Sequence, residues 1–85
     1  MAIKNILLDI EQELERAKKK HPFFPLDAVG RCSIMSEEAG EAVQAANDIV
    51  YGGVDDAKQT EHLKKELLQT AAMCVRILEA MENEE

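Results

Sequence analysis

The chain has 85 residues and a formal net charge of −7; 46% of its residues are hydrophobic and only 4% are aromatic. The length predicts a single domain over residues 1–85, and the composition predicts a globular fold with an aliphatic core. The negative charge argues against binding of a nucleic acid polymer, which requires clustered Lys and Arg. The sequence contains no signal-peptide pattern and no membrane-spanning apolar segment, so we expect a cytoplasmic protein with no membrane partner.

Residues 2–20 carry apolar side chains at helical spacing and predict an amphipathic first helix. The stripe comprises Ile3, Ile6, Leu7, Ile10, Leu14 and Ala17. Pro22 disfavours helix at the residue before it, so it predicts the end of this helix. The basic run Lys18–Lys20 is either a solvated helix terminus, where the helix dipole favours cations, or a phosphate contact. For the lysines we favour the solvated terminus.

The segment His21-Pro22-Phe23-Phe24-Pro25 follows, and it contains both phenylalanines of the chain. Phe23 and Phe24 have two interpretations that do not exclude each other. They form a hydrophobic plug at the end of a helix bundle, or they form a stacking surface for a nucleobase. His21 adjoins them and is a better candidate for a substrate contact than the lysines before it.

Residues 26–51 predict a second helix, and the pair Gly52-Gly53 predicts its end. Apolar side chains cover more than one stripe of this helix, so we expect it to be covered on two sides. Asp48 follows Glu41 by two helical turns and lies on the same face. It is either a further ligand or an exposed aspartate near the helix end, and we favour the exposed aspartate.

The middle of this helix contains the block Glu37-Glu38-Ala39-Gly40-Glu41. Glu38 and Glu41 share one face, because helix neighbours lie three and four positions apart. Glycine costs about 1 kcal/mol relative to alanine inside a helix. We therefore interpret the small pair Ala39-Gly40 as room for the close approach of another backbone or a bulky ligand.

Residues 54–60 predict a polar turn, with Asp55 or Asp56 as the N-cap of a third helix. This helix is expected to run to about Met81. The acidic residues after it, 82–85, predict a frayed tail.

The third helix is apolar around most of its circumference from Leu67 to Leu78. The polar residues in this stretch are Gln69, Thr70 and Arg76. A three-helix chain of this size cannot cover so apolar a helix by itself. We therefore predict self-association.

The chain has two cysteines, Cys32 and Cys74, each within a predicted helix. Their spacing supports neither a disulfide nor a metal pair. We predict two buried thiols in a reducing compartment.

Glu66 and Gln69 form a second pair at i and i+3, on the third helix. If the second and third helices pack antiparallel, this pair can converge with Glu38 and Glu41 at one point. Oxygen-bearing side chains that meet in a helix bundle suit a hard cation such as Mg²⁺. Acidic pairs at this spacing also occur on many solvated helix faces, so each pair alone is a weak signal.

Together the two pairs resemble the signature of the MazG-like, all-α nucleotide pyrophosphohydrolases, which is Glu-Glu-x-x-Glu followed one helix later by Glu-x-x-Asp. This chain has Glu37-Glu38-Ala39-Gly40-Glu41 and then Glu66-Leu67-Leu68-Gln69. His21-Pro22, Tyr51-Gly52-Gly53 and the run from Glu66 to Leu78 also look like small stand-alone members, so the resemblance covers about three quarters of the chain. It implies an all-α fold in which three main helices form an oligomeric bundle, either a homodimer or a homotetramer.

The resemblance also implies an activity. Members hydrolyse nucleoside triphosphates between the α and β phosphates and release a monophosphate and pyrophosphate, with Mg²⁺, or Mn²⁺ in its place, as cofactor. By resemblance, the metal ligands are Glu38, Glu41 and Glu66, with Gln69 in the fourth position.

Further roles follow from the same resemblance. Glu37 and Glu38 are the catalytic candidates, and Glu37 would orient or deprotonate the attacking water, unless it is only a solvent-facing acid or part of a salt bridge between subunits. The substrate-binding candidates are His21, Phe23 and Phe24. Gln69 stands where the family has Asp, and a neutral ligand there lowers metal affinity. The alternative is therefore a catalytically weak or inactive nucleotide-binding oligomer with the same fold.

Overall fold

The computed structural model describes residues 2–52 and 57–84. These ranges contain three α-helices, α1 (Ile3–Lys20), α2 (Ala28–Tyr51) and α3 (Ala57–Asn83). No β-strand occurs in the described residues, which confirms the all-α prediction. Both α1 and α2 pack against α3, which makes α3 the central helix of a small bundle. None of the described helices combines the length and the apolar character that crossing a membrane requires.

Local chemistry explains where α1 ends and where α2 begins. α1 ends before His21, because Pro22 disfavours helix at the preceding residue. α2 begins after Asp27, whose Oδ1 accepts the backbone N–H of Gly30 at 2.7 Å. An aspartate in this N-cap position satisfies an amide group that has no partner within the helix.

α3 is longer than predicted at both ends. Residues 57–60 belong to the helix and not to a polar turn, because Ala, Lys and Gln are strong helix formers that extend a helix held by tertiary packing. The proposed N-caps Asp55 and Asp56 lie outside the described residues. At the other end α3 continues to Asn83, and Glu84 forms an ion pair with Arg31. The prediction of a frayed tail is therefore wrong up to residue 84.

The core is small and consists mainly of short side chains. Its buried apolar residues are Leu14, Ala42, Ala45, Ala72 and Met73. Arg31, Glu66 and Arg76 are buried as well. A buried charge is costly unless it is paired or hydrogen-bonded. Each of these three side chains therefore requires a polar partner in the interior.

A row of apolar side chains along α3 is exposed in the single chain. Leu67, Leu78 and Met81 are 53%, 60% and 53% exposed, and Cys74 is exposed between them. We call Leu67, Cys74, Leu78 and Met81 the α3 stripe. Cys32 is exposed too, so the prediction of two buried thiols is wrong for the single chain. Cys74 is exposed because α3 directs its neighbouring face, which contains Met73, toward the core.

Gly40 has no neighbour within the described chain that requires its small size. The residue is exposed, and a Cβ built there would have no heavy atom within 4 Å beyond its own helix turn. The space predicted beside Ala39-Gly40 therefore opens to solvent and not to another helix of the same chain.

Candidate active site

Three glutamate side chains meet where α2 packs against α3. Glu38 and Glu41 lie one turn apart on α2, and one carboxylate oxygen from each lies within 4.8 Å of the other and of one from Glu66 on α3. We call these residues the acidic cluster. Glu66 is buried, Glu38 is half-buried and Glu41 is exposed. The cluster therefore spans the edge of the interior, and the structure brings together the carboxylates that the spacing predicted to converge.

Gln69 lies one turn after Glu66 and contacts the same cluster. With the amide oriented to satisfy its hydrogen bonds, its NH2 donates to Glu38 Oε2 at 3.0 Å and to Glu66 Oε2 at 3.3 Å, and its oxygen accepts from Arg16 Nη2 at 2.9 Å. Gln69 thus faces the carboxylates, as its place in the motif predicted. In this arrangement it donates hydrogen bonds to them and adds no oxygen ligand.

Further residues at this site were not predicted from the sequence. Arg16 of α1 donates to Glu13 through Nε at 2.6 Å and through Nη2 at 2.7 Å. The i, i+3 spacing of this pair is visible in the sequence, but its position beside Gln69 depends on how α1 packs on α3. His62 Nε2 lies 3.9 Å from Glu66 Oε1, one turn earlier on α3.

The carboxylates of the acidic cluster disfavour one another's charge. Burial raises the pKa of Glu66, and a hydrogen bond and negative charge from Glu41 raise it further. Burial also raises the pKa of Glu38, with Glu41 and Glu13 adding to the effect. The pKa of Glu13 is lowered instead, chiefly because Arg16 donates a hydrogen bond to it. A cation bound at the cluster would relieve the repulsion among its carboxylates.

The acidic cluster borders a cleft of about 490 Å³. The cleft extends to the connector between α1 and α2, which we define as residues 21–25. Its lining residues are Glu13, Arg16, Ala17, Lys20, His21, Phe23, Phe24, Ile34, Glu37, Glu38, Glu41, Gln69, Ala72, Met73 and Arg76. Of the predicted site residues, only the buried Glu66 is outside this lining. The cleft therefore has an acidic end on α2 and α3 and a basic, aromatic end at the connector.

The two phenylalanines of the connector have different environments. Phe24 is half-buried, and the guanidinium carbons of Arg76 and Arg31 lie 4.4 Å and 5.9 Å from its ring centroid. Phe23 is 93% exposed. The plug interpretation therefore does not hold for Phe23 within the single chain, because neighbouring side chains of a non-helical segment before proline point in different directions. Phe24 packs against the bundle, and Phe23 leaves its ring free in the cleft.

The remaining candidates separate into cleft residues and surface residues. Lys20, His21 and Glu37 are exposed and line the cleft. Lys18 forms an ion pair with a glutamate of α3 at 3.0 Å. Asp48 lies outside the acidic cluster and accepts a hydrogen bond at 3.0 Å from another side chain of α2.

The site offers hard oxygen donors beside cationic side chains and an aromatic ring. Carboxylate oxygens are the ligands that Mg²⁺ prefers in proteins, and Lys and Arg suit anionic ligands. Comparison of the chain with protein-family models, with curated proteins and with solved structures finds no match. A functional assignment therefore depends on the sequence motif and on the geometry of the cleft.

Proposed function

We propose that this chain is a Mg²⁺-dependent nucleoside triphosphate pyrophosphohydrolase of the MazG-like type, in which Mn²⁺ can replace Mg²⁺. It would release a nucleoside monophosphate and pyrophosphate. The main support is the acidic cluster, because carboxylates from two helices converge beside a cleft that also has basic and aromatic side chains. Neither half of the sequence motif would support the proposal alone.

The donor set suits the proposed cation. Glu38, Glu41 and Glu66 would hold it, with Gln69 in the fourth position. Around octahedral Mg²⁺, neighbouring oxygens lie about 2.9 Å apart and opposite oxygens about 4.2 Å apart. The carboxylate oxygens of the cluster lie within 4.8 Å of one another, so side-chain rotations that draw them together would place them at ligand distances. Mg²⁺ bound there would neutralise phosphate charge during the in-line attack of water.

Residues of the chain would supply the other functions. Glu37 is exposed in the cleft, so it can orient the attacking water or accept its proton. Phe23 offers an exposed ring on which a nucleobase can stack. His21 and Lys20 line the same cleft and can donate hydrogen bonds to phosphate oxygens.

A second candidate function is that of a catalytically weak or inactive nucleotide-binding oligomer. The hydrogen bonds from Gln69 to Glu38 and Glu66 favour it, because an amide that donates to carboxylates stabilises them without a cation. A Gln oxygen can ligate Mg²⁺, but it adds no negative charge to the site. Such a protein would bind nucleotides without turnover.

We also propose that the chain forms a homodimer or homotetramer through the α3 stripe. The support is the exposure of this apolar row, whose burial would remove apolar surface from water at about 25 cal/mol per Å². Sedimentation equilibrium measures the mass in solution. A monomer at all accessible concentrations would refute the assembly.

The experiment that decides between the two functions is a screen of canonical and modified nucleoside triphosphates with Mg²⁺ or Mn²⁺. Released pyrophosphate is measured, and a chelator is the control. Metal-dependent release supports the hydrolase. Nucleotide binding in calorimetry without release from any substrate supports the second candidate, and absence of both binding and release refutes both.

A further inference from the structure

Two buried arginines flank the ring of Phe24, and they differ in their partners. Arg31 Nε donates to a connector carbonyl oxygen at 2.7 Å, and the same guanidinium forms an ion pair with Glu84. Arg76 Nη2 donates to the carbonyl oxygen of His21 at 2.8 Å. Within the described part of the chain, Arg76 forms no ion pair. Arg76 is therefore a buried cation that has a carbonyl partner but no counter-ion among these residues.

Arg76 has N–H groups besides the one that donates to His21, and the residue lines the cleft. A guanidinium offers several N–H groups, and the structure records one hydrogen bond from Arg76 to the described residues. The residue is only 8% exposed, and none of its nitrogens is recorded as both buried and without a partner. Arg76 lines the cleft, whereas Arg31 does not.

We propose that Arg76 binds a phosphoryl group of the anionic ligand that occupies the cleft. The nature of this ligand as a phosphate compound rests on the proposed function. A guanidinium suits the role, because its planar edge matches two phosphate oxygens. An anion there would also supply the counter-charge that a buried cation requires.

The guanidinium of Arg76 is held in place before any ligand arrives. Its central carbon lies 4.4 Å from the ring centroid of Phe24, and Nη2 is fixed by the backbone of His21. A side chain that is already ordered loses little conformational entropy on binding. The same stack explains why the connector and α3 form one wall of the cleft.

Helix geometry sets the distance between Arg76 and the acidic cluster. Gln69 and Arg76 lie two turns apart on the same face of α3, which corresponds to about 10 Å along the helix axis. Ala72 and Met73 lie between them and line the same cleft. An anion at Arg76 and a cation at the cluster would therefore contact different parts of one extended ligand.

Calorimetric titration with inorganic pyrophosphate, with and without Mg²⁺, tests this proposal. We expect Arg76→Met to weaken pyrophosphate binding about 10- to 100-fold, because charge-assisted hydrogen bonds are lost. Arg31→Met is the matched control, since it removes the other arginine at Phe24, which does not line the cleft, and it should weaken pyrophosphate binding far less than Arg76→Met does. Equal affinities for the wild type and Arg76→Met would overturn the proposal, as would a wild type that binds pyrophosphate in neither condition.

A second measurement does not depend on whether Arg76→Met folds. In the wild type, the nitrogen-15 signal of Arg76 Nε should shift as pyrophosphate is added, and the signal of Arg31 Nε should stay in place. An Arg76 signal that does not move while pyrophosphate binds would overturn the proposal.

The role of Arg76 and the hydrolase activity can fail separately. Turnover of nucleoside triphosphates together with an unchanged pyrophosphate affinity in Arg76→Met would overturn the role of Arg76 and leave the hydrolase in place. Pyrophosphate binding that depends on Arg76, without turnover of any substrate, would support Arg76 and overturn the hydrolase.

Discussion

The two ends of the cleft are positioned in different ways. The acidic cluster comes from the middles of α2 and α3, where the three-residue spacing of the side chains decides which of them share a face. The connector is held by contacts between distant parts of the sequence, since Arg76 lies 55 residues after His21. Regular spacing on two packed helices therefore positions the anionic end, whereas contacts of α3 with the non-helical connector position the cationic and aromatic end.

Because of this difference, substitutions at the two ends of the cleft should affect function and stability differently. A substitution in the acidic cluster changes charge at the edge of the interior, so it should alter metal chemistry while the helices remain intact. A substitution at the inner side of the connector removes packing between α3 and the α1–α2 junction, so it should lower stability and weaken ligand binding together.

The largest effect is expected at the acidic cluster. Glu38→Gln and Glu66→Gln each replace a proposed anionic ligand with a neutral amide, and we expect metal-dependent turnover to fall about 100-fold or more, because outer-shell changes alone cost about 10- to 100-fold. Pyrophosphate release measures the loss, and circular dichroism should show unchanged helix content.

Glu61→Gln is the matched control for these two variants. Glu61 is an exposed glutamate of α3 that pairs with Lys64 and lies outside the acidic cluster, so its variant should keep full activity. Unchanged turnover in either cluster variant would remove the proposed metal site. If the protein only binds nucleotides, both cluster variants should lose nucleotide affinity instead.

The next effect in size is a loss of stability at the connector. Phe24→Ala removes the ring on which Arg31 and Arg76 stack, and we expect the free energy of unfolding to fall by about 2 kcal/mol, less than for a fully buried phenylalanine. Phe23→Ala is the matched control, because this ring is 93% exposed. Its free energy of unfolding should stay within about 0.5 kcal/mol of the wild type. Urea denaturation measures both.

Phe23→Ala should change ligand affinity in a selective way. We expect weaker binding of nucleotides by about 1 to 3 kcal/mol, because one base–aromatic stack is lost, and no change for inorganic pyrophosphate, which has no base. Equal stability losses in the two phenylalanine variants would contradict the different environments of the rings.

Gln69→Asp should have a smaller effect, at the acidic end. It replaces an amide that donates to Glu38 and Glu66 with another carboxylate, so we expect tighter Mg²⁺ binding. In chelator the free energy of unfolding should fall by about 1 to 2 kcal/mol, and Mg²⁺ should restore part or all of it. Calorimetric titration with Mg²⁺ and melting with and without Mg²⁺ measure these changes.

Gln12→Asp adds the same charge at an exposed position of α1 and is the control for Gln69→Asp. Mg²⁺ affinity and melting temperature that match this control would show that residue 69 does not face the metal. Gln69 would then be a residue that joins helices through hydrogen bonds.

The smallest expected effect is a dependence of stability on pH in chelator. The pKa values of Glu66 and Glu38 are raised mainly by burial, so these two carboxyl groups bind protons more tightly in the folded state than in the unfolded state. The resulting stabilisation is complete below the ordinary value of 4.5 and is lost as the pH rises through the raised values. Glu66→Gln should show a smaller fall of unfolding free energy in urea denaturation above pH 4.5. Equal slopes for the variant and the wild type would contradict this assignment.

The features that the sequence predicted correctly depend on regular spacing within each helix. Apolar periodicity predicted the three helices, and the i, i+3 spacing together with antiparallel packing predicted the approach of Glu38 and Glu41 to Glu66. The stack of Arg76 on Phe24 could not be predicted in this way. It depends on the rotation of α3 relative to the connector, which no local pattern encodes.

The prediction for Cys74 was wrong for a related reason. A helix that is apolar around most of its circumference offers several faces that could pack inward. Periodicity identifies these faces but does not decide which of them contacts α1 and α2. In this fold the face with Ala72 and Met73 packs inward, and the face with Cys74 is exposed.

Cys74 places within the α3 stripe a thiol that a chemical reagent can modify. Its thiol lies in the same exposed row as Leu67 and Leu78, whereas Cys32 is exposed on α2, outside that row. The rate at which a small thiol reagent modifies each cysteine measures how freely the reagent reaches it. Contact between subunits along the stripe would slow the reaction of Cys74 and leave that of Cys32 unchanged. The ratio of the two modification rates therefore reports the assembly of subunits without any substitution in the chain. It does so at every protein concentration at which the reaction can be followed.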